Sequence, residues 1–250
     1  MRRQGLVQYR NPGMWFLLIA LPVVDVVLFS SIGVAYGDGE GSVRILFTGI
    51  LLFHLVWQLT LAGSLGFLEE IWSRNLLNLL TTPVREIEYA VSLGIVGLLR
   101  TVVAVALIGI VGGGLYAVDP SAAGWVLAPA AAVLLLFGWA VALLVVGLTL
   151  QYGDSAEVFS WGTLVLLMPL SGVFYPVEAL PGSLQAVAKA IPLTRAFDAT
   201  RAGIEGGGVV AVGDLVIAAI GSLVAVALAF MFVLRQLRRF RQLGWVTRVT

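Results

Sequence analysis

Asp25, His54, Gln58 and Arg100 carry a charge, an imidazole or an amide into long apolar runs of this chain. The chemistry open to them is proton exchange, ion pairing and hydrogen bonding to a polar solute. Asp25 sits about midway along its run, and an ionised group at mid-bilayer costs on the order of 2.5–3.5 kcal/mol on insertion scales, so it is expected to face a polar cavity or a partner helix rather than lipid. His54 and Gln58 are one helical turn apart, with Thr60 close by, and either line a substrate path or hydrogen-bond between helices. Arg100 lies roughly a third of the way along its run, where a long side chain can snorkel to the headgroups. Covalent and metal chemistry find little support. There is no cysteine, hence no disulfide, thiol nucleophile or thiolate site, and a single histidine argues against a histidine-based metal centre. Lys189, the one lysine, follows Ala188, so no GxxxxGK[ST] phosphate loop can be written. If ATP drives this protein, another polypeptide binds the nucleotide, and this chain is expected to bind no cofactor.

The elements that position these groups are membrane helices. With 60% hydrophobic residues, 12% charged ones and 29 glycines in 250 residues, the composition is that of a polytopic membrane protein. One all-α domain over residues 1–250 is expected, with six apolar runs at about 14–36, 45–68, 89–118, 124–150, 159–175 and 215–234. The first run follows Arg2, Arg3 and Arg10, yet its roughly 23 residues exceed a secretory core and no small-x-small cleavage site precedes Asp38, so it reads as a retained span. The third run is longer than a bilayer needs, which places its first turns at the interface. Counting cations orients the set. Arg2, Arg3, Arg10, Arg74, Arg85, Arg235, Arg238, Arg239, Arg241 and Arg248 fall on one side, and Arg44, Lys189, Arg195 and Arg201 on the other. Both termini are thus expected in the cytoplasm. The basic tail from Arg235 sets topology and touches anionic lipid; directly after a span it does not point to nucleic acid. Tyr9, Trp15, Trp125, Tyr152 and Tyr175 near span ends fit aromatic belts, and the pairs Ala62 with Gly66, Gly109 with Gly113 and Ala218 with Ser222 suit close helix packing.

Two stretches break the monotony. Residues 69–88, EEIWSRNLLNLLTTPVREIE, form the longest charged interruption: Leu68, Trp72, Leu76 and Leu79 trace one helical face, Glu70, Arg74 and Asn78 another, and Pro83 ends it. Such a helix either docks a cytoplasmic partner or rests on lipid headgroups. Farther on, the fifth run ends after roughly 17 residues, the short end of what spans a bilayer, and gives way to Pro169, Pro176, Pro181 and Pro192. Leu184, Val187, Ala188 and Ile191 then recur at helical spacing, followed by Leu193, Phe197 and Ile204. Two short amphipathic helices at the membrane's edge are expected, as against a plain extracellular loop.

That second stretch, SGVFYPVEALPGSLQAVAKAIPLTRAFDATR, resembles the segment before the last span of ABC-2 type ABC-transporter permeases, through Ser171, Gly172, Phe174, Pro176, Leu180, Pro181, Pro192, Leu193 and Arg201. The resemblance implies a re-entrant helical pair before span six, an outer gate around Gly172, Phe174, Tyr175, Pro176, Pro181, Pro192 and Arg201, and a coupling helix between spans two and three. Glu69, Glu70, Trp72, Arg74, Asn75, Leu76 and Pro83 would then contact a separate ATPase subunit, with a second, identical permease copy completing the complex. Asp25, His54 and Gln58 are candidates for the translocation path. The resemblance further implies a multi-pass protein of the inner or plasma membrane that is not itself an enzyme. Only about a dozen residues precede the first run, whereas polysaccharide exporters of this type usually carry a longer amphipathic N-terminal helix, which tilts the expected substrate toward a drug, antibiotic or lipid-like molecule. An ion-gradient-driven transporter and a membrane-embedded lipid-processing enzyme are the alternatives. The first lacks paired broken helices in matching halves, and the second lacks a polar catalytic cluster.

Overall fold

The computed structural model describes residues 12–37, 40–72, 86–116, 124–206 and 208–243. These form eight α-helices: α1 Pro12–Tyr36, α2 Glu40–Trp72, α3 Glu86–Tyr116, α4 Leu127–Tyr152, α5 Glu157–Leu170, α6 Gly182–Ala190, α7 Pro192–Ile204 and α8 Gly208–Leu243. Among the described residues four stretches are long and apolar enough to cross a membrane, Gly41–Glu69, Gly94–Tyr116, Gly124–Tyr152 and Ala211–Arg239, while Ala20–Tyr36 and Glu157–Leu170 are shorter apolar helices.

The central helix is α2. In its spanning stretch 83% of the most apolar window is buried inside the protein, against 22% for those of α3 and α8, which turn most of their surface outward. It packs against α1, α3, α4, α5 and α7, and α4 in turn carries α8. Small residues let α2 and α4 come close: a Cβ on Gly138 would stand 3.0 Å from Val56 Cα, one on Gly63 would stand 2.7 Å from Ala142 Cβ, and Thr60 Oγ1 donates to the Gly138 carbonyl at 3.1 Å. Phe47, Leu52, Val56, Leu134, Leu164 and Leu193 fill the core between them. At one end Tyr116 ties α3 to α1 by donating to the Val27 carbonyl at 3.0 Å. At the other, Gln236 of α8 donates to Gln151 of α4 at 3.2 Å.

Several expected boundaries shift. The fifth apolar run ends as a helix at Leu170, not Tyr175, because Gly172 adopts a left-handed φ of 73° and Pro176 imposes extended backbone before it. Its 14 residues rise about 21 Å, short of the ~30 Å hydrocarbon core. Glu69, Glu70 and Trp72 belong to the last turn of α2 itself, and Glu86 and Glu88 open α3. The sixth run is part of the 36-residue α8, which carries the basic segment with Arg235, Arg238 and Arg239 as continuous helix. Of the small-residue pairs, Ala218 and Ser222 are fully buried, but Gly109 and Gly113 look onto open space, and it is Gly112 that lies against the Phe47 ring. The pair of short helices after Pro181 and Pro192 forms as the prolines and periodicity predict. Leu193 and Phe197 are buried on α7, and Leu184 and Val187 of α6 stay exposed.

Candidate functional site

The break after α5 frees helical carbonyls that have no next turn to accept from, which near a membrane is costly unless side chains replace it. Here they do. Ser171 Oγ donates to the Met168 carbonyl at 2.7 Å, Tyr175 Oη to Pro169 at 2.7 Å, and Thr194 Oγ1 to Leu170 at 3.2 Å. Arg201 Nη2 donates to the Gly172 carbonyl at 2.8 Å, while its Nη1 pairs with Asp198 at 3.6 Å. Burial pushes the Asp198 carboxyl above the usual aspartate range, against the downward pull of Arg201. Arg195 then fastens α7 to α8 through Asp214 at 3.0 Å, and Gly221 of α8 leaves room for Pro192, whose Cγ a Cβ would meet at 2.7 Å. On the exposed side Lys189 of α6 pairs with Glu178 at 3.4 Å. A backbone hydrogen bond, with help from Lys189, holds the Glu178 carboxyl below its ordinary range.

Gly172, Phe174, Tyr175, Pro176, Pro181, Pro192 and Arg201, expected at an outer gate, thus occupy one turn with its two flanking short helices. Pro176 precedes the 3₁₀ turn Val177–Ala179, Pro181 precedes α6 and Pro192 opens α7. Phe174 reaches back to the first helix and stacks on Phe29 at 4.1 Å with 19° between the rings.

One turn from Phe29 along α1 lies Asp25, and its Oδ2 is 3.2 Å from His54 Nε2 of α2. Nε2 is thus the ring nitrogen turned to the Asp25 carboxyl, and Nδ1 lies on the other side of the ring. The imidazole is 2% exposed and the carboxylate 28%. His54 Nδ1, Gln58 Nε2 and Ser160 Oγ are buried without a hydrogen-bond partner among the described residues. Trp57 stands edge-on to both His54 and Trp161, at 6.4 and 6.0 Å. Asp25 of α1 thus has a polar neighbour on α2. This cluster can bind and orient a donor or exchange a proton. Among the described residues no group of three or more histidines and carboxylates is placed to hold a metal ion.

Of the residues expected to couple to an ATPase, Glu69, Glu70 and Trp72 end α2, with Trp72 exposed. Arg74, Asn75, Leu76 and Pro83 lie outside the described residues. Arg100 of α3 is within electrostatic reach of Glu69, so its charge is answered inside the protein as well as at any headgroup. A groove of about 380 Å³ between α3 and α4, lined by Gly94, Leu98, Leu135 and Trp139, is almost wholly apolar.

Sequence reasoning missed Thr194, Arg195 and Asp198, although with Arg201 they make a polar stripe along α7 at spacings of three and four. It also missed Phe29, Trp57, Trp161 and Ser160, which as apolar or small residues inside spans give no signal until a fold brings them together.

Two comparisons agree with this architecture. The family model described as "ABC-2 type transporter" matches residues 1–204. The chain is also 36% identical over 96 residues to the capsule polysaccharide export inner-membrane protein CtrC of Neisseria meningitidis serogroup B. That alignment spans 36% of this chain and 36% of the relative. With four long apolar helices and a family match over most of its length, this chain is a multi-pass membrane permease that belongs to the ABC-2 type transporter family.

Proposed function

We propose that the chain is the membrane-spanning half of an ATP-driven exporter, in which two copies of it pair with two copies of a separate ATPase that binds ATP and Mg2+. The observation that carries this is the family match over residues 1–204 in a chain without any phosphate loop of its own. In this reading α1 and α5 join the four long helices as six spans, and α6 and α7 form the re-entrant pair. The arginine bias supports a cytoplasmic location for both termini. ATPase closure pushes on residues 69–88, the spans tilt, and a path opens between the two copies toward the outside. The capped turn at 171–176 with α6 and α7 shapes the outer end of that path, and Asp25, His54 and Gln58 line its wall.

The membrane is the inner or plasma membrane, as the Neisseria relative's name says of that protein. The same name favours a polysaccharide as cargo. The drug, antibiotic or lipid-like class expected from the sequence is the second substrate reading, and the apolar α3–α4 groove suits it. The Asp25–His54 pair, with a buried imidazole and a partly exposed carboxyl, is also a feature that favours coupling to a proton gradient instead of ATP.

Purification of the tagged chain from its membrane in mild detergent, with mass spectrometry of what stays bound, tests the proposal. A stoichiometric subunit carrying a phosphate loop is expected, lost when Trp72 and Arg74 are both replaced by alanine. A chain that purifies alone, folded, with transport in vesicles driven by a pH gradient and indifferent to ATP, would overturn it.

A further inference from the structure

α3 and α4 each pack on the central α2 but, among the described residues, scarcely on one another, and a groove runs between them. Its walls are helical stripes. Val91, Ile95 and Leu98 follow one another at spacings of four and three on α3, Ala132, Leu135 and Trp139 at three and four on α4, and Leu59 of α2 forms the floor. Between these walls Gly94 brings no side chain: a Cβ there would meet only the Trp139 ring, at 3.8 Å. From Val91, soon after the Glu86 start of α3, to Leu98 the groove rises about 10 Å, which keeps it in the half of α3 nearer that start. From Gly94 onward α3 is a spanning stretch, as is α4 within Gly124–Tyr152, and Val91, Ile95 and Leu98 are all exposed. The groove therefore opens onto hydrocarbon rather than water. Its chemistry and size narrow the occupant. The described lining carries no ionisable group, and water would find almost no polar partner there. A helix of a second copy, about 10–12 Å across with its side chains, is too thick for it. The volume of about 380 Å³ is instead in the range of sites for small molecules, and a single hydrocarbon chain is thin enough to enter.

We infer that the α3–α4 groove is a lipid site that holds one acyl chain of a bilayer phospholipid, drawn from the leaflet at which α3 starts. In the orientation proposed above this is the cytoplasmic leaflet. The groove shares no residue with the Asp25–His54 cluster, which favours a resident lipid over the cargo. The methylenes of the chain supply the dispersion contacts that α3 and α4 do not supply each other, and so tie both helices to α2. The inference needs only the membrane setting of these helices. It goes beyond the exporter reading and does not depend on ATP coupling.

To test this, the full chain is reconstituted with a phosphatidylcholine carrying a diazirine midway along one acyl chain, extracted in mild detergent, washed free of loose lipid and irradiated. Native mass spectrometry before irradiation should show one retained phosphatidylcholine per chain, and peptide mapping afterwards should place its insertion within residues 91–98 and 132–139. Insertion there should exceed that at the exposed residues Ile110 of α3 and Leu228 of α8 by at least ~10-fold, a preference of about 1.4 kcal/mol. Gly94→Leu grows into the groove without meeting backbone, and Ala132→Leu narrows it from the opposite wall. Either variant, with helical circular dichroism unchanged, should lose the lipid. Gly109→Leu, which meets open space on α3, should keep it. The inference is overturned by a wild type that retains no lipid, by insertion at Ile110 or Leu228 equal to that in the groove, or by folded Gly94→Leu and Ala132→Leu chains that still hold the lipid. A retained species with the mass of no supplied lipid overturns it too, making the groove a cargo site. So does a disulfide between two copies at Leu98→Cys, in a chain with no cysteine of its own, which would seat a second copy there. The wild-type mapping decides even where a variant fails to fold, and it needs no ATPase, so its failure stands apart from failure of the exporter proposal.

Discussion

At the outer turn, the carbonyls of Met168, Pro169, Leu170 and Gly172 each accept a side-chain hydrogen bond, from Ser171, Tyr175, Thr194 and Arg201. On α2 and at the start of α5, His54 Nδ1, Gln58 Nε2 and Ser160 Oγ are buried with nothing to bond among the described residues. Both regions take polar groups out of water, and a chain under selection for stability alone would finish both. The division is not complete, since Arg195 Nε of α7 is itself buried and unpaired among the described residues; what sets the turn apart is that each freed carbonyl has a side-chain donor. A satisfied network resists change, whereas an unsatisfied one is completed by something that comes and goes.

The comparison breaks first at Arg201. Arg201→Ala uncaps the Gly172 carbonyl and leaves Asp198 in a partly buried position without its cation. Removing one partner of a fully buried pair costs about 3–5 kcal/mol, and exposures of 16% and 27% place this pair below that limit, so a loss of about 2–4 kcal/mol is expected. Thermal unfolding in detergent reads it directly. Arg201→Lys, which keeps charge but loses the fork, should fall between; a midpoint unchanged by either variant would mean that the turn is not fastened there. Next in size is Gly49, where α2 passes the turn. A Cβ there would sit 2.9 Å from the Val173 carbonyl oxygen, which is backbone, and Gly49→Val is expected to cost about 1–3 kcal/mol. Gly109→Ala is the control. It meets open space inside α3 and should gain up to ~1 kcal/mol from helix propensity.

How far the sequence makes these two regions legible follows the same division. The outer turn is readable because prolines and glycines act locally: Pro176, Pro181 and Pro192 dictate where helices stop and start whatever surrounds them. Apolarity alone carries α5 too far, to Tyr175, since it continues through Val173 and Phe174 while the backbone has already turned at Gly172. On α1 and α2, periodicity puts His54 and Gln58 on one face and singles out Asp25 as costly. That Asp25 meets His54, and that Phe29 meets Phe174, depends on how α1 packs on α2, and no spacing within either helix carries that information. Gly109 and Gly113 show the converse: a regular small-residue spacing is visible, but contact belongs to Gly112, one step around the helix.

Gln58 sharpens the contrast from the other side. Its amide is buried with an unpaired Nε2, so Gln58→Leu removes an unmet hydrogen-bonding demand at nearly constant volume. Stability should hold or rise by up to ~1 kcal/mol while export falls, the trade expected of a functional position. Parallel unfolding and vesicle-transport measurements decide it. A variant both less stable and less active would make Gln58 a structural residue like those of the outer turn.

The smallest effect belongs to Glu178 and Lys189, which lie in the fastened region by position but not by chemistry. Both are exposed, at 69% and 42%, and an ion pair open to water is worth little because solvent already stabilises each charge. Glu178→Gln should therefore change stability by no more than ~0.5 kcal/mol at neutral pH, far less than Arg201→Ala in the same region. The pH dependence gives the sign. The Glu178 carboxyl is held below its ordinary range, chiefly by a backbone hydrogen bond and then by Lys189, so its contribution is present above the unfolded value and fades as pH falls below about 4. Unfolding midpoints of wild type and Glu178→Gln should then converge on the acid side. If the gap were instead large at pH 7, or widened toward acid, the outer turn would be held as firmly at its exposed rim as at Arg201, and capping of freed carbonyls would no longer explain what fastens it.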